Sequence, residues 1–324
     1  ELSLPRPAIL RYYRFYNSML ENTDTKITST QISPSGVNAT GIAHVYYSFD
    51  VGNAIHLESA HKKLSFPEKE RSRIRSRSRV SKYFDFTAAP VRVTHTQAEY
   101  ELSSKFRTRP FIEAMIFDFG AISIRFQIPI SGPFEDLVQL SALLYENQYL
   151  IEQARSVVDS IVKEIGEFVT NMAVADHIED YSVFQIEQFT PHLTIDQLTY
   201  DHASTVASIL CSEVQELSEG AIEERIANRI SYSSKDVTFV DWNSAIVFDS
   251  NPDEILKVLE FINVALMEYS YLDSKLDSAL DEFYNYFAKS RVGVSLGLNS
   301  LKRELRRIGQ FQIDSAILFE GVSN

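Results

Sequence analysis

Apolar positions along the chain change their period once. Up to about residue 130 they come in short runs rich in β-branched and aromatic residues, which read as strands. Ile42–Phe49 (IAHVYYSF) is the first, and Tyr83–Phe86 and Val91–Thr96 are shorter candidates. Asn53–Lys63 interrupts them with a helical rhythm that sets Ile55, Leu57 and Ala60 toward a core. The clearest β signal is Ile112–Phe117 followed by Ala121–Ile128, joined around Phe119-Gly120, where glycine permits the positive φ of a tight turn. Gly132-Pro133 closes the region, with Pro133 placed as the first residue of a helix.

From Phe134 the period becomes helical. Leu137, Leu140, Leu143 and Leu144 form one stripe; Ile151, Ala154, Val157, Val158, Ile161, Ile165 and Val169 form a second, with a break near Asn147. Tyr181–Gln188 reads as a strand and Thr199–Val214 as a helix. Val237–Val240 and Ala245–Phe248 read as short strands covering the helices. The best-defined element starts behind a cap at Ser250 or Asn251, with Pro252 in its first turn and Asp253 and Glu254 at the positive end of the dipole. No Gly or Pro then occurs until Gly293. Ile255, Val258, Ile262, Ala265, Tyr269, Leu272, Leu276, Ala279, Phe283 and Tyr286 keep heptad spacing over roughly 58 Å of helix. A second helix, from about Ser295 to Val322, carries Leu298, Leu301, Leu305, Ile308 and Phe311, and an antiparallel hairpin hinged near Gly293 is the simplest arrangement. The pattern predicts an α+β chain: an α/β domain with a mostly antiparallel sheet over residues 1–132, then a helix-rich domain over 133–324 built on a long-helix bundle or hairpin.

Composition sharpens this picture. With 11 glycines and 10 prolines in 324 residues, the chain is poor in breakers, which favours long helices. The formal charge of −13 is unevenly spread: residues 1–130 hold 18 basic and 12 acidic side chains, the remainder 13 and 32. An acidic total argues against a surface that grips nucleic acid everywhere, while leaving a local basic site open. Cys211 is the only cysteine, so neither an intrachain disulfide nor a cysteine zinc site can form, and a reducing interior is expected. No run of 18 apolar residues is present. The expected location is cytoplasmic, or attached to the cytoplasmic or matrix face of a membrane.

Recognisable catalytic motifs are missing: no G-x-G-x-x-G, P-loop, H-E-x-x-H, kinase signature or nucleophile elbow occurs. The expectation is therefore a non-enzymatic protein without cofactor or metal. Three features compete with that reading. Arg71, Arg73, Arg75, Arg77 and Arg79 occupy every second position, so an extended backbone would project all five from one side toward RNA, acidic lipid, an acidic protein or the chain's own acidic half. The stripe Ile255, Val258, Ile262, Tyr269, Leu272, Leu276 and Phe283 is a packing or oligomer seam, with self-association or a protein partner implied. His177 with Glu179, and Asp201 beside His202, place acid next to imidazole, and with His192 they are the places where a hydrolase or metal enzyme would have to be built.

Three short segments resemble the required-for-meiotic-nuclear-division family, also called YagE-like proteins: Ala43-His44-Val45-Tyr46-Tyr47 with Asp50-Val51; Phe117-Asp118-Phe119-Gly120-Ala121-Ile122-Ser123-Ile124; and Leu259-Glu260 with Leu266-Met267-Glu268 and Leu272-Asp273. The tryptophan usual after the central signature is absent, with Arg125-Phe126 in its place. The resemblance implies an α/β domain followed by long helices, no enzymatic activity, a membrane segment beyond Asn324, and a scaffold or tether linked to organellar translation. The leading expectation is an intracellular scaffold or tether; the alternative is a nucleic-acid-binding module using the arginine run.

Overall fold

A computed structural model describes residues 36–66, 68–71, 89–233, 235–249 and 251–290. The described chain is α+β, with a large, mostly antiparallel sheet and seven helices. Its axis is β1 (Asn38–Asp50), which pairs antiparallel along its length with β6 (Ala121–Pro133) on one side and β8 (Ile178–Thr190) on the other. Outward from β6 lie β5 (Phe111–Ile116), β4 (Val91–Thr96) and the edge strand β3 (Glu68–Arg71). Outward from β8 lie β11 (Ser244–Phe248), β10 (Val237–Val240) and β9 (Arg229–Ile230), the β8–β11 pair being parallel. A separate two-stranded pair joins β2 (Ala54–Ile55) to β7 (Val169–Thr170).

The boundary expected at residue 132 falls inside β6, and the sheet runs across it. Strands from both sides of that boundary share one set of backbone hydrogen bonds through β1. The short runs at Val237–Val240 and Ala245–Phe248 belong to this sheet as well, so they do not cover helices. Local periodicity identifies a strand but says nothing of its neighbour, which is why the chain looked divisible. The turn around Gly120 is as expected: its φ is +96°, and a Cβ there would collide with the Gly52 carbonyl.

Alternate residues of β1 face two different layers. Val45, Tyr47 and Phe49 point into the main core, beneath α1 (Leu57–Lys63), α2 (Asp136–Leu144) and α3 (Gln148–Ile165), with α4 (Ile195–Tyr200) and α5 (Ala203–Cys211) beyond them. Leu137, Leu140 and Leu144 of α2, and Ala154, Val158, Ile161 and Ile165 of α3, supply the helical side of that core. The break expected near Asn147 is real: Asn147 caps α3, its side chain accepting from the Leu150 amide at 3.1 Å. A sixth helix, α6 (Glu219–Ala227), packs on α5.

The seventh helix, α7 (Asp253–Ser290), crosses the opposite face. Leu256 and Leu259 pack on Tyr46, Tyr181, Val183, Ala245 and Val247, and Val264 and Met267 pack on Met115, Phe117 and Ala121. The layers are therefore helices, sheet, then α7. At 38 residues α7 is about 57 Å long. Among its described side chains the last buried one is Glu268, and from Asp273 to Ser278 every residue is exposed. The segment 295–322, expected as the second arm of a hairpin, and the strand candidate at Tyr83–Phe86 lie outside the described residues.

The seam expected from heptad spacing is not the line that packs on the sheet. Ile255, Val258 and Leu272 are half-buried; Ile262, Tyr269 and Leu276 are exposed at 44%, 41% and 38%, and the Phe283 side chain lies outside the described residues. The packed line is Leu256, Leu259, Glu260, Asn263, Val264, Met267 and Glu268. At 100° per residue the two lines lie nearly opposite each other on the helix. Three polar residues interrupt the packed line, so the continuous apolar pattern in the sequence belongs to the outer side.

Candidate functional site

The face under α7 carries a row of charges that begins within strands otherwise apolar. Register places Glu113 of β5 opposite Arg125 of β6, and Arg125 opposite Tyr46 of β1. Arg125 donates to Glu113 Oε2 from Nε at 2.9 Å and also from Nη2; Arg92 of β4 donates to Oε1 at 3.0 Å. Gln127 Nε2 completes the carboxylate at 2.7 Å, and Arg109 donates to Gln127 at 2.9 Å. From α7, Glu260 approaches Arg92 at 3.7 Å. Burial alone would raise the Glu113 carboxyl, but the charges and hydrogen bonds of Arg125 and Arg92 outweigh it and hold it below the usual range. Beside this cluster, His44 pairs with Gln185 at 2.9 Å, and burial with the nearby Arg125 charge pushes its imidazole down to about 4. It is neutral at pH 7. Burial pushes the Tyr46 phenol up to about 12.

The other end of the same face is acidic. Asn263 of α7 donates to Ser48 Oγ at 2.9 Å and to the Glu179 carbonyl at 3.2 Å. Beyond it Asp50 and Glu268 are both buried. Asp50 accepts from the Gly52 amide at 2.8 Å, and burial raises it to about 6. Burial, and then the Asp50 charge, raise Glu268 to about 8, so this carboxyl is mostly protonated at neutral pH. Together these groups fasten α7 to the sheet through directional contacts. They do not set a nucleophile against a base.

The histidines considered as bases or ligands are separate. His177 Nε2 lies 3.5 Å from Glu179; His202 is buried edge-on to Phe134 at 5.9 Å between ring centroids; His192 is exposed. Among the described residues no three His, Cys, Asp or Glu side chains gather to hold a metal ion. Cys211 accepts from Arg225 Nε at 3.2 Å, and burial pushes its thiol up, away from a reactive thiolate.

Of the arginine run, Arg71 is the last residue of edge strand β3; Arg73, Arg75, Arg77 and Arg79 lie outside the described residues. The outer line of α7 forms a surface instead of a core. Leu280, exposed at 49%, extends Ile262, Tyr269 and Leu276, while the exposed Asp277 and Asp281, five turns on from Leu259 and Asn263, continue the sheet-facing side. Among the described residues no helix is long and apolar enough to cross a membrane.

The part-buried charge row is what the sequence reading missed, and a signal for it exists. Arg125 sits in the middle of AISIRFQI, and Glu113 in the middle of FIEAMI. A charge in the middle of an apolar strand run calls for a partner on a neighbouring strand.

Comparison with known proteins overturns the YagE-like resemblance. Residues 40–254 match the family model described as Uncharacterized protein MJ0711, N-terminal domain, which covers well over half of the chain and ends in the first turn of α7. The Uncharacterized protein MJ0711 of Methanocaldococcus jannaschii is 20% identical over 200 residues, 59% of this chain and 61% of that relative. The chain thus spans about three fifths of that relative's length. The segments behind the earlier resemblance are the central strand β1, the β5–β6 turn and part of α7. The matched region holds all but the first two residues of the described sheet and the part-buried Arg92–Glu113–Arg125 row, and by that match the chain belongs to the MJ0711 N-terminal domain family.

Proposed function

We propose that the protein is a non-enzymatic interaction module, a scaffold or tether, in which the sheet fixes the root of α7 and the outer seam of α7 receives another helix. The observation that carries this reading is the two-sidedness of α7: Ile262, Tyr269, Leu276 and Leu280 stand exposed opposite the line that packs on the sheet. Heptad-spaced apolar residues on a solvent-facing side are the docking surface of a helix, read as anchors at three- and four-residue intervals. In this reading α7 is one arm of the long-helix hairpin or bundle expected from the sequence.

Replacing Ile262 and Leu276 together by Asp tests the module. The expected result is a changed Stokes radius, larger if the seam is engaged within one chain and smaller if between chains, with the melting of the sheet unchanged. An unaltered radius contradicts the reading.

One observation favours a second reading, nucleic-acid binding by the arginine run: the run starts at Arg71, the last residue of β3, which among the described residues is the outermost strand of the sheet. Binding of single-stranded RNA that falls steeply with salt and is lost on replacing Arg73, Arg75, Arg77 and Arg79 by Ser would support it. RNA binding unchanged by those replacements would remove it.

A further inference from the structure

Two helix ends and one hairpin turn meet in a part of the molecule that uses no residue of α7. Ser141, in the last turn of α2, donates through Oγ to the Ile209 carbonyl of α5 at 2.9 Å, and Ser244, at the head of β11, donates to the Leu210 carbonyl at 2.8 Å. Both helices end here, α2 at its C-cap Tyr145 and α5 at its C-cap Ser212, so both bring the negative ends of their dipoles to the same region. The β10–β11 turn sets Trp242 against Tyr145, with ring centroids 6.4 Å apart and planes at 82°. Tyr145 is exposed at 39% and Trp242 at 40%. Arg225 pairs with Asp241 at 3.1 Å, while Glu224, within electrostatic reach of Asp241, Glu213, within reach of Cys211, and Glu146, next to Tyr145, add negative charge.

We propose that the Tyr145–Trp242 corner is a binding site for a quaternary ammonium group, carried by a small molecule or by a trimethylated lysine side chain. The site goes beyond the interaction-module reading and stands or falls without it. A cation about 4.5 Å in front of each of two perpendicular rings sets their centroids about 6.4 Å apart, which is the separation found here. The ring quadrupoles attract the charge, and the two helix ends and the carboxylates add a negative potential around it. A guanidinium or primary ammonium also demands hydrogen-bond acceptors. The carboxylate of this turn, Asp241, is already engaged by Arg225 at 3.1 Å and by the Trp242 amide at 2.8 Å. A quaternary ammonium has no N–H to satisfy, so aromatic walls in a negative field suit it best.

Trp242 is the only tryptophan of the chain, so its emission reports on the corner directly. In the full chain at constant ionic strength, tetramethylammonium should change that emission saturably. Choline should do the same, while its uncharged analogue, with a quaternary carbon in place of the nitrogen, should give less than about one tenth of the response. Tyr145→Leu should weaken tetramethylammonium about fivefold without lowering the melting temperature, and Tyr145→Phe, which keeps the ring, should bind as the unaltered chain does. Saturation transfer from the protein to the tetramethylammonium methyl protons gives a second readout, which Trp242→Leu should abolish. A trimethyllysine peptide that binds at least tenfold tighter than both choline and the unmodified peptide assigns the group to a protein partner; tighter binding of choline assigns it to a small molecule. Absence of both a saturable response and saturation transfer, equal responses to choline and its uncharged analogue, or binding unchanged in Tyr145→Leu and Trp242→Leu would overturn the proposal.

Discussion

On one face of the sheet Tyr47, Phe49, Ile124 and Phe126 meet Leu140, Val158 and Ile161 in an apolar interior; on the other, Tyr46, Ser48 and Arg125 meet Leu259, Glu260 and Asn263 of α7. The first layer is held by area removed from water, which is non-directional and changes little with pH or salt. The second adds hydrogen bonds and charges that need particular partners in particular protonation states. A helix attached in the second way is placed accurately along its root. It can then carry its other side into solvent as a fixed surface.

Substitutions can test this contrast, in order of expected effect. Phe126→Ala, which removes a fully buried ring packed edge-to-face on Tyr47, should cost about 4 kcal/mol in urea unfolding and lower the midpoint at every pH. On the α7 face, Glu113→Ala leaves Arg92 and Arg125 facing each other without their shared carboxylate and should cost about 3 kcal/mol, whereas replacing all three by apolar residues of similar volume should cost far less. If the triple replacement is as damaging as the single one, the row does more than balance its own charges.

Acidity should separate the faces next. Glu268 and Asp50 have folded values raised above their unfolded ones, so their contribution is complete below about pH 4 and is lost as pH rises through about 6 and then 8. His44 has a folded value depressed to about 4, so its contribution is complete above its unfolded value and is lost as pH falls toward 4. Between about pH 4 and 6 the His44 and Asp50 trends offset each other, so the three groups together give an alkaline limb, with stability declining as pH rises toward 8. Glu268→Gln should remove most of the alkaline limb, on the order of 2 kcal/mol between pH 5 and 9, while leaving the Phe126→Ala deficit untouched. A limb that persists in Glu268→Gln would place its origin elsewhere. Smallest of all should be the effect of the outer seam on the sheet: Leu276→Asp should change the unfolding free energy of the sheet by less than about 0.5 kcal/mol, since that side chain packs on neither of its faces.

Much of this architecture can be read from the amino acids. Asn147 at the head of Gln148–Ile165, Gly120 between two apolar runs, and the breaker-free stretch after Pro252 each name their own element, because caps, turns and helix continuity are local. What was illegible is non-local. Nothing within Ile178–Thr190 reveals that it lies beside β1, so the sheet appeared to stop at residue 132. The inner line of α7 was concealed by Glu260, Asn263 and Glu268, polar residues whose partners Arg92, Ser48 and Asp50 lie far away in the chain. The candidate seam was visible as a stripe, and only the packed structure shows which side of the helix it occupies.

Reactivity of cysteines on the two sides of the distal half of α7 measures the central claim most directly. In the full chain with Cys211→Ser, Leu276→Cys and Leu280→Cys report the outer seam, and Ser274→Cys and Ser278→Cys report the line that continues the sheet-facing side beyond the sheet. All four positions are exposed to solvent on α7 itself. A helix seated on the seam predicts maleimide labelling at positions 276 and 280 at least tenfold slower than at 274 and 278. Equal rates at all four positions would contradict the account.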